Sequence, residues 1–381
     1  MSIVIIGTGL GGYNTAKELR KRDTDTPLTL ITADSGRSYS KPMLSTGYRK
    51  EQTPADLVQG EPEAMAEQLD ARVITGTPVE AIDRDASAVR LAGGETVPYD
   101  RLVLAMGADT FTPPVDGDAA GDIFQVNDLD QYERFREAAA DARRVLIMGG
   151  GLIGCEFAND LREADYQVDM VFPEPLPLPR LLPERPAQAL HEALTELGAT
   201  LHTGVTVEAV NRSGNGLTAT LSDGGTLEAD IVLAAIGLKP RTALAEAAGL
   251  EVGQGIRVDK TLATSDPAIF ALGDCAEVEG WVLPYVAPLT NAARALGQTL
   301  AGEVTPENYP VMPVTVKTSC CQVVAWPPEP DAEGEWQFDG EGRDLRGEFR
   351  DAQGNLLGFA LTGKRIKERM PLTKEMPGLL G

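Results

Sequence analysis

Gly7, Gly9 and Gly12 follow one apolar run, and Gly149, Gly151 and Gly154 repeat their spacing after another. Each copy ("VIIGTGLGGYNTAKELR" and "VLIMGGGLIGCEFANDLR") reads as a short strand, a G-x-G-x-x-G turn and an amphipathic helix. The chemistry this spacing serves is dinucleotide binding. The first glycine permits the tight turn, the second lets backbone N–H groups approach a pyrophosphate, and the third lets helix and strand pack closely. The anion then meets unpaired N–H groups and the positive end of the helix dipole. One such turn arises easily by chance. Two copies that stay aligned through Ala16 and Ala158, Leu19 and Leu161, and Arg20 and Arg162 imply two nucleotide sites.

A ribose hydroxyl needs an acid at the end of the second strand, about 20 residues further on. The first copy supplies Asp34, after Leu28 to Ile31 and next to Ala33. The second copy departs from that pattern, with Phe172 at the strand end and Glu174 two residues later. No Lys or Arg stands there before Arg180 to clamp a 2′-phosphate, which favours NADH over NADPH. Glu174 suits a ribose ligand and a plain surface position equally.

Three more segments carry glycine at the end of a buried strand. "YDRLVLAMGAD" runs into Ala105 and Gly107, "DIVLAAIGLKPRT" echoes it at Gly237, and "ATSDPAIFALGDCAE" ends in Gly273 and Asp274. Together with the two turns, these segments resemble the two-dinucleotide-binding flavoproteins related to glutathione reductase. That resemblance implies an α/β fold of two Rossmann-like domains, the second inserted in the first, plus a small α+β C-terminal domain. The expected division is residues 1–110 and 238–311 for FAD, 111–237 for NAD and 312–381 for the last domain. The "DTFTPPVDGDAAGD" linker marks the first boundary. Alternation in "MPVTVKTSCCQVVAW" and "LRGEFRDAQGNLLGFALTG" reads as antiparallel strands.

The resemblance also implies site residues. FAD would meet Gly7, Thr8, Gly9, Leu10, Gly12, Ala33, Asp34, Lys41, Val79, Ala105, Gly107, Gly273, Asp274, Val286 and Lys317. NADH would meet Gly149, Gly151, Ile153, Gly154, Glu174 and Gly237. Four of the FAD residues have plainer readings. Asp34 also suits a polar strand end, Lys41 a solvated loop residue, Asp274 a helix N-cap, and Lys317 a charge that protects an edge strand.

Disulfide reductases of this kind carry a C-x-x-x-x-C pair beside the flavin, whereas "DSGRSYSKPMLSTGY" contains no cysteine. The resemblance then implies that electrons leave the flavin directly. The "SYSKPMLS" loop instead resembles the rubredoxin- and flavorubredoxin-reducing branch of the family, as do "GLIGCEFANDL", "LGDCAEV", "MPVTVKT" and the closing "KEMPGLLG". The implied activity is hydride transfer from NADH to flavin N5, then two single-electron transfers to rubredoxin or a similar small iron carrier. Ferredoxin or flavorubredoxin as acceptor, and a flavin-holding signalling protein without turnover, remain the other readings. A fixed cation would help where negative charge develops, and a buried lysine needs a carboxylate partner. The resemblance implies that this partner is a glutamate on the helix after the second glycine turn, so an ion pair between Lys41 and Glu156 is the expected catalytic feature. Arg37, Lys41, Lys364, Arg365, Lys367, Arg369 and Lys374 are the candidates for a basic landing patch.

The bulk composition bounds these readings. A net charge of -23 argues against nucleic acid and against an anionic membrane surface. Two histidines, and four cysteines without metal-site spacing, predict no metal centre. The start "MSIVIIGTGLGG" lacks a signal-peptide pattern, and no apolar run reaches the length of a membrane span, so a cytoplasmic enzyme without membrane insertion is expected. Its oligomeric state, monomer or dimer, is left open.

Overall fold

The computed structural model describes residues 1–112 and 114–379. Pro113 of the predicted linker, and Leu380 and Gly381 of the closing "KEMPGLLG", lie outside the described residues.

Two five-stranded parallel sheets carry the two glycine turns. In the first, the order is Ile269–Ala271, Arg101–Leu104, Ile3–Ile6, Leu28–Ile31 and Arg72–Ile74. In the second it is Phe124–Gln125, Ile231–Ala234, Arg144–Met148, Gln167–Phe172 and Thr200–Thr203. Both place the glycine-turn strand at the centre, where it is buried on both faces, as its unbroken apolar run requires. One edge strand of the first sheet, Ile269–Ala271, arrives only after the whole second sheet has been laid down. The first fold is therefore interrupted by the second.

The chain crosses between them twice, and the two crossings pair with each other. Ala108–Thr110 runs antiparallel to Leu238–Pro240. Arg241 Nε bonds Asp109 Oδ1 at 2.6 Å across this ribbon, and Arg241 Nη1 reaches Met106 O at 3.1 Å.

A third five-stranded sheet, antiparallel, follows in the order Val314–Val316, Val323–Trp326, Leu356–Thr362, Asp344–Arg350 and Glu335–Glu341. The alternating segments form four of these strands. The fifth, Glu335–Glu341, is an edge strand that alternates exposed and half-buried residues, with no fully buried position to advertise it. The short helix Arg369–Glu375 closes the domain through buried Leu372.

The glycine turns show why the residue type is fixed. Gly7 has φ +109°, and a Cβ there would lie 2.2 Å from Ala105 O. A Cβ on Gly12 would lie 1.9 Å from Gly7 O, so only glycine lets the helix Leu10–Arg20 start so close to the strand. Gly9 differs: a Cβ there meets nothing within 4 Å. The second copy behaves alike, with Gly149 and Gly154 crowded and Gly151 facing open space.

Candidate functional site

A cavity of about 1130 Å³ opens where the three sheets converge. Of the residues expected to meet FAD, Gly7, Thr8, Gly9, Leu10, Ala33, Asp34, Lys41, Val79, Ala105, Gly107, Gly273, Asp274, Val286 and Lys317 line it. Gly12 does not, because it sits behind the turn against Gly7. Of those expected to meet NADH, Ile153 alone lines this cavity, next to Leu152 and Glu156. Gly149, Gly151, Gly154, Glu174 and Gly237 lie outside it.

Asp34 is fixed by its own turn. Its Oδ1 accepts from Thr32 Oγ1 at 2.7 Å, Gly36 N at 2.9 Å and Thr8 Oγ1 at 3.4 Å. All three bonds fall on one oxygen, and the carboxylate borders the cavity. That suits a group waiting for a diol.

Lys41 opens the 3-10 turn Lys41–Thr46, and its ammonium lies 3.8 Å from Asp274 Oδ2. Among the described residues it donates no hydrogen bond. Burial pushes its pKa below the ordinary lysine range, Asp274 pulling the other way and Arg241 adding to the depression. This is a cation about a third exposed, with N–H groups to spare, on the wall of a cavity. Asp128 lines the same wall, caps the helix Leu129–Ala139 by accepting from Gln131 N at 2.7 Å, and has its pKa raised by burial. "NDLDQ" advertises that cap, but nothing in it advertises a cavity wall.

The expected pair between Lys41 and Glu156 does not form. Glu156, 1% exposed, is taken instead by Lys317, whose Nζ lies 2.6 Å from Oε2 and whose backbone N bonds Oε1 at 2.9 Å. The 3-10 turn explains the exchange, for it is Ser45 at the far end of that turn that meets the carboxylate, donating from Oγ to Oε2 at 2.5 Å. Lys317 follows the strand Val314–Val316, whose valines are buried while Thr315 and Lys317 share the cavity face. Period-two alternation in "VTVK" carries that signal.

The helix Leu152–Glu163 buries two more polar residues on the same face, Asn159 and Asp160. Asn159 Oδ1 accepts from Cys320 N at 3.1 Å, and its Nδ2 donates to Ser319 Oγ at 2.9 Å. Asp160 accepts from Tyr48 N at 2.9 Å and Arg49 N at 3.0 Å. One helix thus binds the loop of the first fold and the start of the third sheet. Three buried polar residues at i, i+3 and i+4 in "CEFAND" were the available hint.

The second glycine turn carries its own departure. Phe172 replaces the usual acid, and a Cβ on Gly150 would lie 2.6 Å from its ring, so the aromatic side chain fills the space under the glycine loop. Glu174 beyond it is only partly exposed. Among the described residues, none of the four cysteines lines the cavity. Burial raises their pKa values, to about 11 for Cys275 and Cys321 and about 12 for Cys320.

The basic patch is partly neutralised. Arg37 pairs with Asp130 and Glu133, Arg365 with Asp339 and Glu368, and Lys364 with Asp344 at 3.8 Å. Lys367, Arg369 and Lys374 make no ion pair among the described residues.

The chain is similar to known proteins in sequence and in fold. A family model described as pyridine nucleotide-disulphide oxidoreductase matches residues 1–297, and one described as rubredoxin binding C-terminal domain matches residues 307–376. The chain is 52% identical, over 99% of both lengths, to the Rubredoxin-NAD(+) reductase of Alcanivorax borkumensis. It is 41% identical to that of Acinetobacter baylyi, over 99% of this chain and 98% of the relative. Its fold matches a ferredoxin reductase from Rhodopseudomonas palustris with a TM-score of 0.88 at 29% identity, over 97% of this chain and 92% of that one.

Proposed function

The chain belongs to the pyridine nucleotide-disulphide oxidoreductase family, and from that premise we propose that it carries electrons from NADH, by way of FAD, to a rubredoxin. The observation that carries this reading is the cavity itself. It joins the first glycine turn, a cation with spare donors and the face of the rubredoxin-binding segment, without a cysteine among its walls.

The residues fit FAD. Gly9 leaves a cradle that any side chain would fill, Asp34 offers a carboxylate to a ribose, and Lys41 offers N–H groups to an anionic ligand. Asp274 holds Lys41 in range while keeping its charge compensated. When bound, FAD supplies the chemistry that takes two electrons together and releases them one at a time. Around it, the Lys317–Glu156 pair fixes a dipole at the cavity wall. The turn at Gly149 to Gly154 is the proposed NADH grip, with Ile153 at the boundary of the two sites and Glu174 as its ribose acid. A dianionic 2′-phosphate would meet Glu174 without a compensating cation. The cytoplasm, where NADH is supplied, is the proposed location.

Stopped-flow mixing tests this. NADH should bleach the bound flavin and NADPH should do so far more slowly. Oxidised rubredoxin should then restore the colour faster than ferredoxin or a flavorubredoxin domain. Flavin that NADH reduces but rubredoxin does not reoxidise would remove the acceptor assignment.

A further inference from the structure

Lys317 Nζ has three N–H groups, and each has an acceptor: Glu156 Oε2 at 2.6 Å, Pro42 O at 2.8 Å and Ser45 Oγ at 3.2 Å. Ser45 Oγ has one proton, which goes to Glu156 Oε2 at 2.5 Å in preference to Pro42 O at 3.4 Å. Ammonium, carboxylate and hydroxyl therefore form a closed ring in which Ser45 is the only neutral member. Pro42, Glu156 and Lys317 line the cavity, whereas Ser45 stands behind them and is 3% exposed. Ser45 also breaks the 3-10 turn, with φ -92° and ψ 15°, and this bend turns its side chain onto the helix that carries Glu156.

We propose that Ser45 is a positioning residue, whose hydroxyl dipole seats the Lys317–Glu156 pair and mutes the carboxylate's negative charge toward the cavity. The inference rests on the flavin reading above. An O–H donated to a buried carboxylate opposes part of its field, and charge-assisted bonds of this kind are about twice as strong as neutral ones. Without it, the cavity wall turns more negative, and any species carrying extra electrons there is held less well.

The test compares Ser45→Ala and Ser45→Thr in flavin-loaded protein, by the midpoint potential of the bound flavin and by its pre-steady-state reduction by NADH. Ser45→Ala should lower the potential by the equivalent of roughly tenfold in the reduction equilibrium and slow reduction by a similar factor, with the NADH concentration dependence unchanged. Ser45→Thr, which keeps the hydroxyl, should restore both. An unchanged potential in Ser45→Ala overturns the proposal, as does an equal fall in Ser45→Thr. If Ser45→Ala cannot be isolated folded, Ser45→Cys serves, since a thiol is a weaker donor of similar shape. A potential between those of Ala-like loss and wild type supports the role, and one equal to wild type overturns it. Wild-type protein that takes up no flavin removes the underlying reading instead, an outcome distinct from either.

Discussion

Glu156 and Lys317 meet at 2.6 Å although one stands on the helix of the second glycine turn and the other at the end of a strand in the third sheet. The pair lines the cavity, and it ties the helix of the second glycine turn to the segment that matches a rubredoxin-binding domain. The two partners are unequally buried, since Glu156 has no exposed side-chain surface and Lys317 keeps about a quarter of its own.

That inequality makes the two single substitutions unequal. Lys317→Met strands a buried carboxylate and should cost about 3 kcal/mol of unfolding free energy. Glu156→Gln leaves a cation that can turn to solvent, and it should cost less. Urea titration of both variants reads the difference, and equal losses would contradict the geometry.

The glycines of the first turn separate folding from binding. Gly9→Ala places a methyl in open space at ordinary φ, so it should leave thermal stability unchanged while weakening FAD uptake. Gly12→Ala drives a methyl against Gly7 O and should lower stability by about 1–3 kcal/mol. Thermal melts of the flavin-free proteins, set beside FAD fluorescence titrations, distinguish the two effects.

Lys41 should give the cavity an alkaline limb. Its pKa is depressed by burial, so the positive charge is lost below the pH at which a free lysine would lose it. FAD affinity is expected to fall on the alkaline side over that earlier range. Lys41→Arg keeps its charge throughout and should abolish the limb. Affinity measured against pH in both proteins checks the sign.

Glu307 predicts a pH effect on stability itself. It is 4% exposed, and burial raises its pKa from 4.5 to about 7, Arg294 opposing. The unfolded chain releases this proton near pH 4.5 while the folded chain keeps it until about 7, so stability falls as pH rises between those values and is level above them. Glu307→Gln should therefore stabilise by roughly 3 kcal/mol at pH 8 and by little at pH 4. Denaturant midpoints at the two pH values test this. A constant gain would mean that the carboxyl is not held neutral in the fold.

Local pattern was enough for much of this molecule. The doubled G-x-G-x-x-G turns, with apolar runs before and amphipathic helices after, determined two parallel sheets, because a crowded first and third glycine admits no other residue. The place of Asp34 on the cavity wall was legible from its fixed distance along the chain from the turn. Also legible was a cavity wall without cysteine among the described residues. Tertiary structure alone decided which charges meet. Lys41 and Glu156 looked like partners when set side by side as motifs, yet the 3-10 turn sends Lys41 toward Asp274 and Ser45 toward Glu156, and the cation arrives from a third domain. An ion pair depends on the distance between side chains from separate elements, and neither composition nor periodicity encodes that distance. The chain specified each wall of the cavity locally, and the packing of three sheets chose which walls face one another.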